Sequence, residues 1–140
     1  MYVLDTFHLL SAELDPMGGL TASYTICPAD EVVEFKAKSI VLTHPDLRDL
    51  FEQLRKRVTF LLGFPEEAAE VVYCKGITYP GDGKVIFHAR VIGPEGDYKV
   101  KTPKVRIKED EVALLESIDK EVYAYLFEHK NAELSIFGSE

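Results

Sequence analysis

The chain predicts an α+β fold: one antiparallel sheet of about six strands with two helices packed on one face, in approximate βββα-βββα order. Three observations carry that expectation. Two stretches repeat apolar residues at the helical period, and each follows stretches that alternate at period two. The links between the alternating stretches are short and rich in Gly, Pro and Asp, which suits hairpins and therefore antiparallel pairing. The 140 residues, 46% hydrophobic and 29% charged, suit a single domain over 1–140 with a core of its own.

The first helix is expected near 44–62. Leu47, Leu50, Phe51, Leu54, Val58, Leu61 and Leu62 fall on one face at 3.6 spacing, whereas strand alternation would scatter them over two. Thr43 is placed to cap it and Pro45 to occupy its first turn, with Asp46 and Asp49 near the positive end of the dipole. Arg55, Lys56 and Arg57 follow in later turns, and Gly63 and Pro65 end the run. The second helix is expected near 110–129, with Val112, Leu115, Ile118, Val122 and Tyr125 or Leu126 on one face and Asp110 and Glu111 at its start. Helices of this length are marginal alone in water, so both need a sheet as cover.

Alternation predicts strands at Tyr2–Leu10, Thr21–Cys27, Val32–Leu42, Glu70–Thr78, Lys84–Ile92 and Asp97–Thr102. Pro103 interrupts the last ladder, and Lys104–Ile107 continues extended. Residues 132–138 form a short final strand or a packed tail. Turns fall at Leu14–Leu20, Pro28–Asp30, Tyr79–Gly83 and Gly93–Gly96. The two halves are of similar length, which raises a duplication that local identity does not establish.

The formal charge of −8 disfavours attraction of the whole molecule to nucleic acid or anionic membrane. The distribution is uneven, however. Residues 84–108 hold seven bases against two acids, and residues 109–140 hold nine acids against two bases. In the fifth strand Lys84, His88 and Arg90 share a face with Ile86 and Ile92. Lys99 and Lys101 in the sixth, and Lys104 and Arg106 beyond Pro103, point the same way. Lys84, His88, Arg90, Lys99, Lys101, Lys104 and Arg106, with Tyr79 as a stacking ring and Lys75 as an extension, thus form a candidate site for single-stranded nucleic acid, with salt-sensitive binding. The competing reading is a solvated face whose lysines keep sheet edges from pairing, or one neutralised by the acidic C-terminal segment within a chain or across a dimer.

Other chemistry finds little support. His8, His44, His88 and His129 match no zinc spacing, and no Gly-rich stretch matches a phosphate loop. Asp5, Glu13 and Asp15 lack ligand spacing, Thr43-His44-Pro45-Asp46 reads as a helix cap, and no nucleophile is positioned for a triad. No catalytic residue, metal or cofactor is expected. A deep pocket converging on His44 or His88 beside a carboxylate would instead indicate an enzyme. Cys27 and Cys74 have no motif spacing and are expected to be reduced, with Cys74 inert packing. No apolar run approaches bilayer length, and the N-terminus lacks a basic segment leading into a long apolar one, so a cytoplasmic protein is expected.

His44-Pro45-Asp46 leading into the first helix, followed by Gly76-Ile77-Thr78 through to Thr102-Pro103, resembles small uncharacterised phage or prophage proteins, some encoded among DNA-replication and recombination functions. The likeness covers roughly residues 32–107. It implies a viral accessory role and no catalytic residues. Two functions are therefore expected. The first is a non-enzymatic accessory protein acting by protein binding or self-assembly as a homo-oligomer, through exposed strand edges or Ile86 and Ile92. The alternative is a single-stranded nucleic-acid-binding accessory protein that uses the basic 84–108 hairpin.

Overall fold

Strand pairing organises the computed structural model, which describes residues 6–26 and 32–132. The strands are β1 (Phe7–Leu14), β2 (Leu20–Ile26), β3 (Val33–Ser39), β4 (Val72–Gly81), β5 (Lys84–Gly93), β6 (Gly96–Lys101) and β7 (Val105–Arg106). They form one antiparallel sheet in the order β3-β2-β1-β4-β5-β6, with β7 pairing β5. The helices are α1 (Pro45–Glu52), α2 (Arg55–Leu61) and α3 (Val112–Phe127). The α+β class, the antiparallel sheet and the helical layer are those the periodicity predicts. Asp5, Cys27, the 28–30 turn and most of the 132–138 segment lie outside the described residues.

The sheet is built twice. In the first hairpin Leu9 pairs Tyr24, Ser11 pairs Ser23 and Ala12 pairs Ala22, with a bulge at Leu10. In the second, Cys74 pairs Ala89, Gly76 pairs His88 and Ile77 pairs Phe87, with a bulge at Lys75. Every partner lies 65 residues further on. The third strands obey the same offset: Ser23 opposite Lys36 becomes His88 opposite Lys101, and Thr25 opposite Glu34 becomes Arg90 opposite Lys99. The halves meet at β1–β4, where Ser11 faces Thr78, Ala12 faces Ile77 and Glu13 faces Gly76, a set that the same offset maps onto itself. A local two-fold therefore passes through the Ala12–Ile77 pair. Among the strand positions so related, only Lys36 and Lys101 are identical, which is why residue identity does not betray the repeat.

One face of the sheet carries the core. Leu9, Ala12, Leu20, Ala22, Val72, Ile77, Val85, Phe87 and Ala89 are buried there beneath Leu47, Phe51, Leu54 and Val58 of the first helical stretch and Leu115, Ile118 and Val122 of α3. Burying one such large apolar side chain contributes about 1.5–3 kcal/mol. The repeat needs Gly76 at its centre, because a Cβ there would lie 2.6 Å from the Ala12 carbonyl oxygen.

The 44–62 stretch is helical but breaks at Gln53–Leu54. Leu54 turns fully into the core, and Arg55 is held by its Nε–H donating to the Val72 carbonyl at 2.6 Å. These contacts redirect the chain where helical periodicity alone sees no interruption. The cap also differs from expectation. His44 is the N-cap, its Nδ1 accepting from the Asp46 N–H at 3.0 Å. Thr43 is buried instead, its hydroxyl donating to the Gly18 carbonyl at 3.1 Å. Asp46 is held below the usual carboxylate range, chiefly by a hydrogen bond from Lys130. A single-turn 3₁₀ segment, Glu109–Glu111, leads into α3, and His129 leaves it in the left-handed region. Arg57 joins the two helical stretches through a 2.7 Å bond from its Nε–H to Glu111, with both side chains largely buried.

Candidate functional site

Among the described residues no helix covers the other sheet face. Alternation brings to it Thr21, Ser23 and Thr25 from β2, Lys36 and Lys38 from β3, Glu13 from β1, Thr78 from β4, His88 and Arg90 from β5, and Lys99 and Lys101 from β6. The pairs His88–Lys101 and Arg90–Lys99 lie side by side, so the four cation-bearing positions form a block about 5 Å across the strands and about 7 Å along them. Lys84 sits opposite Arg106 at the far end of β5. Lys104 is exposed in the link from β6 to β7. Ile86 and Ile92 are half-buried on the same face. Many acids lie on the helical side, among them Asp49, Glu52, Glu116 and Glu128, all exposed.

Tyr79 is not part of this face. One position on from Thr78, it turns toward the helices, and its hydroxyl donates to Asp119 of α3 at 2.9 Å. Burial pushes the Tyr79 phenol well up and lifts Asp119 from 3.8 to about 6, the latter despite the bond from Tyr79. The pair belongs to the helix–sheet contact, because one step along a strand reverses the face. The ring on the open face is Tyr73, opposite Arg90, with the Arg55 guanidinium 4.2 Å from its centre.

Glu13, absent from the sequence-derived set, organises the middle of the face. Its carboxylate accepts from Lys75 Nζ at 3.0 Å and from His88 Nδ1 at 3.0 Å. The opposite ring nitrogen, Nε2, lies 2.6 Å from the Thr78 hydroxyl. Since a carboxylate only accepts, Nδ1 carries a proton, and in the neutral ring Nε2 accepts from Thr78. Burial lowers the His88 pKa, an effect partly opposed by Glu13 and reinforced by Lys101 and Lys75. His88 is thus a polar hub held toward its neutral form between Glu13 and Thr78. The signal for Glu13 was present in the alternation of β1, but the bulge at Leu10, which sets its face, is not visible in residue types.

Two depressions run together here. One, of about 500 Å³, is lined by Glu13, Lys75, His88, Lys99, Val100 and Lys101. The next, of about 260 Å³, shares Lys75 and Lys99 with it and is reached where β1 and β4 part. Together they make a basic trough. Arg90 donates to Asp97 at 3.0 Å, whereas Lys36, Lys38, Lys84, Lys99, Lys101 and Arg106 form no ion pair among the described residues.

His44 is absorbed in its capping bond. Cys74 is buried beside the Gly76 carbonyl, and desolvation pushes its thiol up to about 12, which keeps it protonated. Among the described residues no group of three His, Cys, Asp or Glu side chains is placed to hold a metal ion, and no helix is long and apolar enough to cross a membrane. Comparison with protein-family models, curated proteins and solved structures finds no match to this chain.

Proposed function

We propose that the protein is a non-enzymatic, phage-type accessory protein that binds single-stranded nucleic acid along the open sheet face. The observation that carries this reading is the register of β5 and β6, which sets His88 beside Lys101 and Arg90 beside Lys99 on the face opposite the helices. Several unpaired cations on one helix-free surface form a local positive field despite the overall charge of −8. The trough gives a phosphate backbone a groove to follow, and Tyr73, with the Arg55 and Arg90 guanidinium groups 4.2 and 5.9 Å from its ring centre, places an aromatic among cations beside it. Single strands are favoured over duplex because a flat β-face with an aromatic receives splayed bases.

Titration of labelled single-stranded DNA and RNA at low and raised salt tests the proposal. Binding should be tight at low salt, fall steeply as salt rises, and be lost on charge reversal of Arg90 and Lys101. Absence of binding at low salt, or indifference to the R90E/K101E exchange, defeats it.

A second reading, self-association, has its own observation. Both sheet edges interleave charged and apolar residues, but β3, beside Glu34, Lys36 and Lys38, also presents Val33 and Phe35, near 40% exposed, preceded by Val32 at 70% and followed by Ile40 at 87%. The exposed apolar side chains along that edge offer a second copy a surface for strand addition. Sedimentation over a wide concentration range checks this. A mass that rises with concentration and is restored to the monomer by Val33→Lys supports it, and a monomer at every concentration removes it.

A further inference from the structure

The β1–β4 ladder is short, running only from Ser11–Thr78 to Glu13–Gly76, with a bulge beside it on each strand. The sheet therefore opens on both sides of the two-fold, and each opening holds a cleft. One is lined by Phe7, His8, Leu9, Tyr79 and Asp119. The other is lined by Leu14, Asp15, Pro16, Arg48, Glu52, Tyr73, Cys74, Lys75, Arg90 and Lys99. The offset of 65 turns His8 into Tyr73, Leu9 into Cys74 and Leu14 into Tyr79, so the two clefts are counterparts in the repeat.

Their charges are not counterparts. The first cleft is lined by no Lys or Arg and contains a carboxyl whose pKa is raised by burial. The second gathers four cations from four elements: Arg48 of α1, Lys75 of β4, Arg90 of β5 and Lys99 of β6. The positions equivalent to Lys75, Arg90 and Lys99 are Leu10, Thr25 and Glu34. The lining also holds Asp15 and Glu52, and Lys75 is paired with Glu13 and Arg90 with Asp97, so an entering anion meets Lys99 free of ion pairs and shares Lys75 and Arg90 with their carboxylates.

Building on the nucleic-acid reading above, we propose that this cleft receives the terminal phosphate of the bound strand. Helix α1 lies on the far side of the sheet, and its Arg48 and Glu52, both exposed, line the cleft from that side. A terminal phosphomonoester carries nearly twice the charge of an internal phosphodiester, about −1.5 to −2 at neutral pH. Its oxygens can accept from the guanidinium groups of Arg48 and Arg90, the latter sharing itself with Asp97, and Lys99 has no ion pair to surrender. Arg48 already donates from one nitrogen to the Thr43 carbonyl at 3.1 Å, which orients the guanidinium and leaves other donors for a ligand.

The test compares one internally labelled oligonucleotide in three forms: 5′-phosphate, 3′-phosphate, and hydroxyl at both ends. One phosphorylated form should bind about tenfold tighter than the hydroxyl form, the scale of a charge-assisted contact. Arg48→Gln should erase that increment, and the exposed Lys99→Gln should reduce it even if the first variant folds poorly. Lys101→Gln should weaken all three forms alike. Equal binding of the three forms overturns the terminal-phosphate site and leaves the nucleic-acid reading standing, as does an increment that survives in the R48Q/K99Q variant. Failure of every form to bind at low salt overturns both.

Discussion

Neutralising Lys99 and Lys101 together gives the most quantitative test of the open face. Both are exposed on β6 and free of ion pairs among the described residues, so K99Q/K101Q should change folding stability by no more than about 0.5 kcal/mol. The face offers six cations without an ion pair among the described residues: Lys36, Lys38, Lys84, Lys99, Lys101 and Arg106. If all six meet phosphates of a single strand, the logarithm of the binding constant falls with the logarithm of salt at a slope of about −4, and the variant's slope should be about −3. Between about 50 and 200 mM salt the wild type would then lose about 300-fold in affinity and the variant about 50-fold. Fluorescence anisotropy of a labelled oligonucleotide across that range reads both quantities directly. An unchanged slope in the variant would refute the reasoning, because it would mean that these ammonium groups displace no counterions.

The remaining predictions concern the scaffold. Asp119 has its pKa raised by burial from 3.8 to about 6, so the folded state holds this proton more tightly than the unfolded state does. Its contribution is favourable below about pH 4 and becomes a penalty as pH rises through about 6. Asp119→Asn should therefore raise stability at pH 7, by at most about 3 kcal/mol, with the gain vanishing near pH 4; thermal melts at the two pH values check the sign. Gly76→Ala should cost about 1–3 kcal/mol in chemical denaturation, because the new methyl meets the Ala12 carbonyl. Arg57→Met leaves the Glu111 carboxylate buried without its partner and should cost about 3 kcal/mol, most of it recovered in R57M/E111L.

What the residues revealed in advance was the part that obeys a period. Alternation set Lys84, His88, Arg90, Lys99 and Lys101 on one face, and apolar spacing located the helices. The losses have local causes. Tyr79 lies one strand position from Thr78, and the intervening step exchanges a solvent-facing ring for one bonded to Asp119. Glu13 reaches Lys75, an expected extension of the site, only because the β1–β4 pairing brings separate hairpins together, and that pairing spans more than sixty residues. The helix break follows from Leu54 and Arg55 answering to β4, a tertiary demand that outweighs helical propensity. Similar half-lengths raise the repeat but residue identity does not establish it, because packing constrains which positions are apolar and leaves their identities free: Tyr24 and Ala89, or Ala22 and Phe87, occupy equivalent core sites with opposite volumes.

That freedom bears on whether the cations do more than keep the protein dissolved. Both halves must keep apolar residues toward the helices, but neither is obliged to carry particular residues on the open face. On that face the first half has Leu10, Ser23, Thr25 and Glu34 where the second has Lys75, His88, Arg90 and Lys99. Both halves are charged there, but the first mixes Glu13 and Glu34 with Lys36 and Lys38 whereas cations outnumber acids in the second, and solubility gives no reason for that difference of sign. A ligand lying across the second half does give a reason. Lys36→Gln with Lys38→Gln should then weaken oligonucleotide binding less than K99Q/K101Q does, although each exchange removes two exposed ammonium groups from the same sheet face. Equal losses would point to a diffuse field of the whole face and would remove the trough as a defined site.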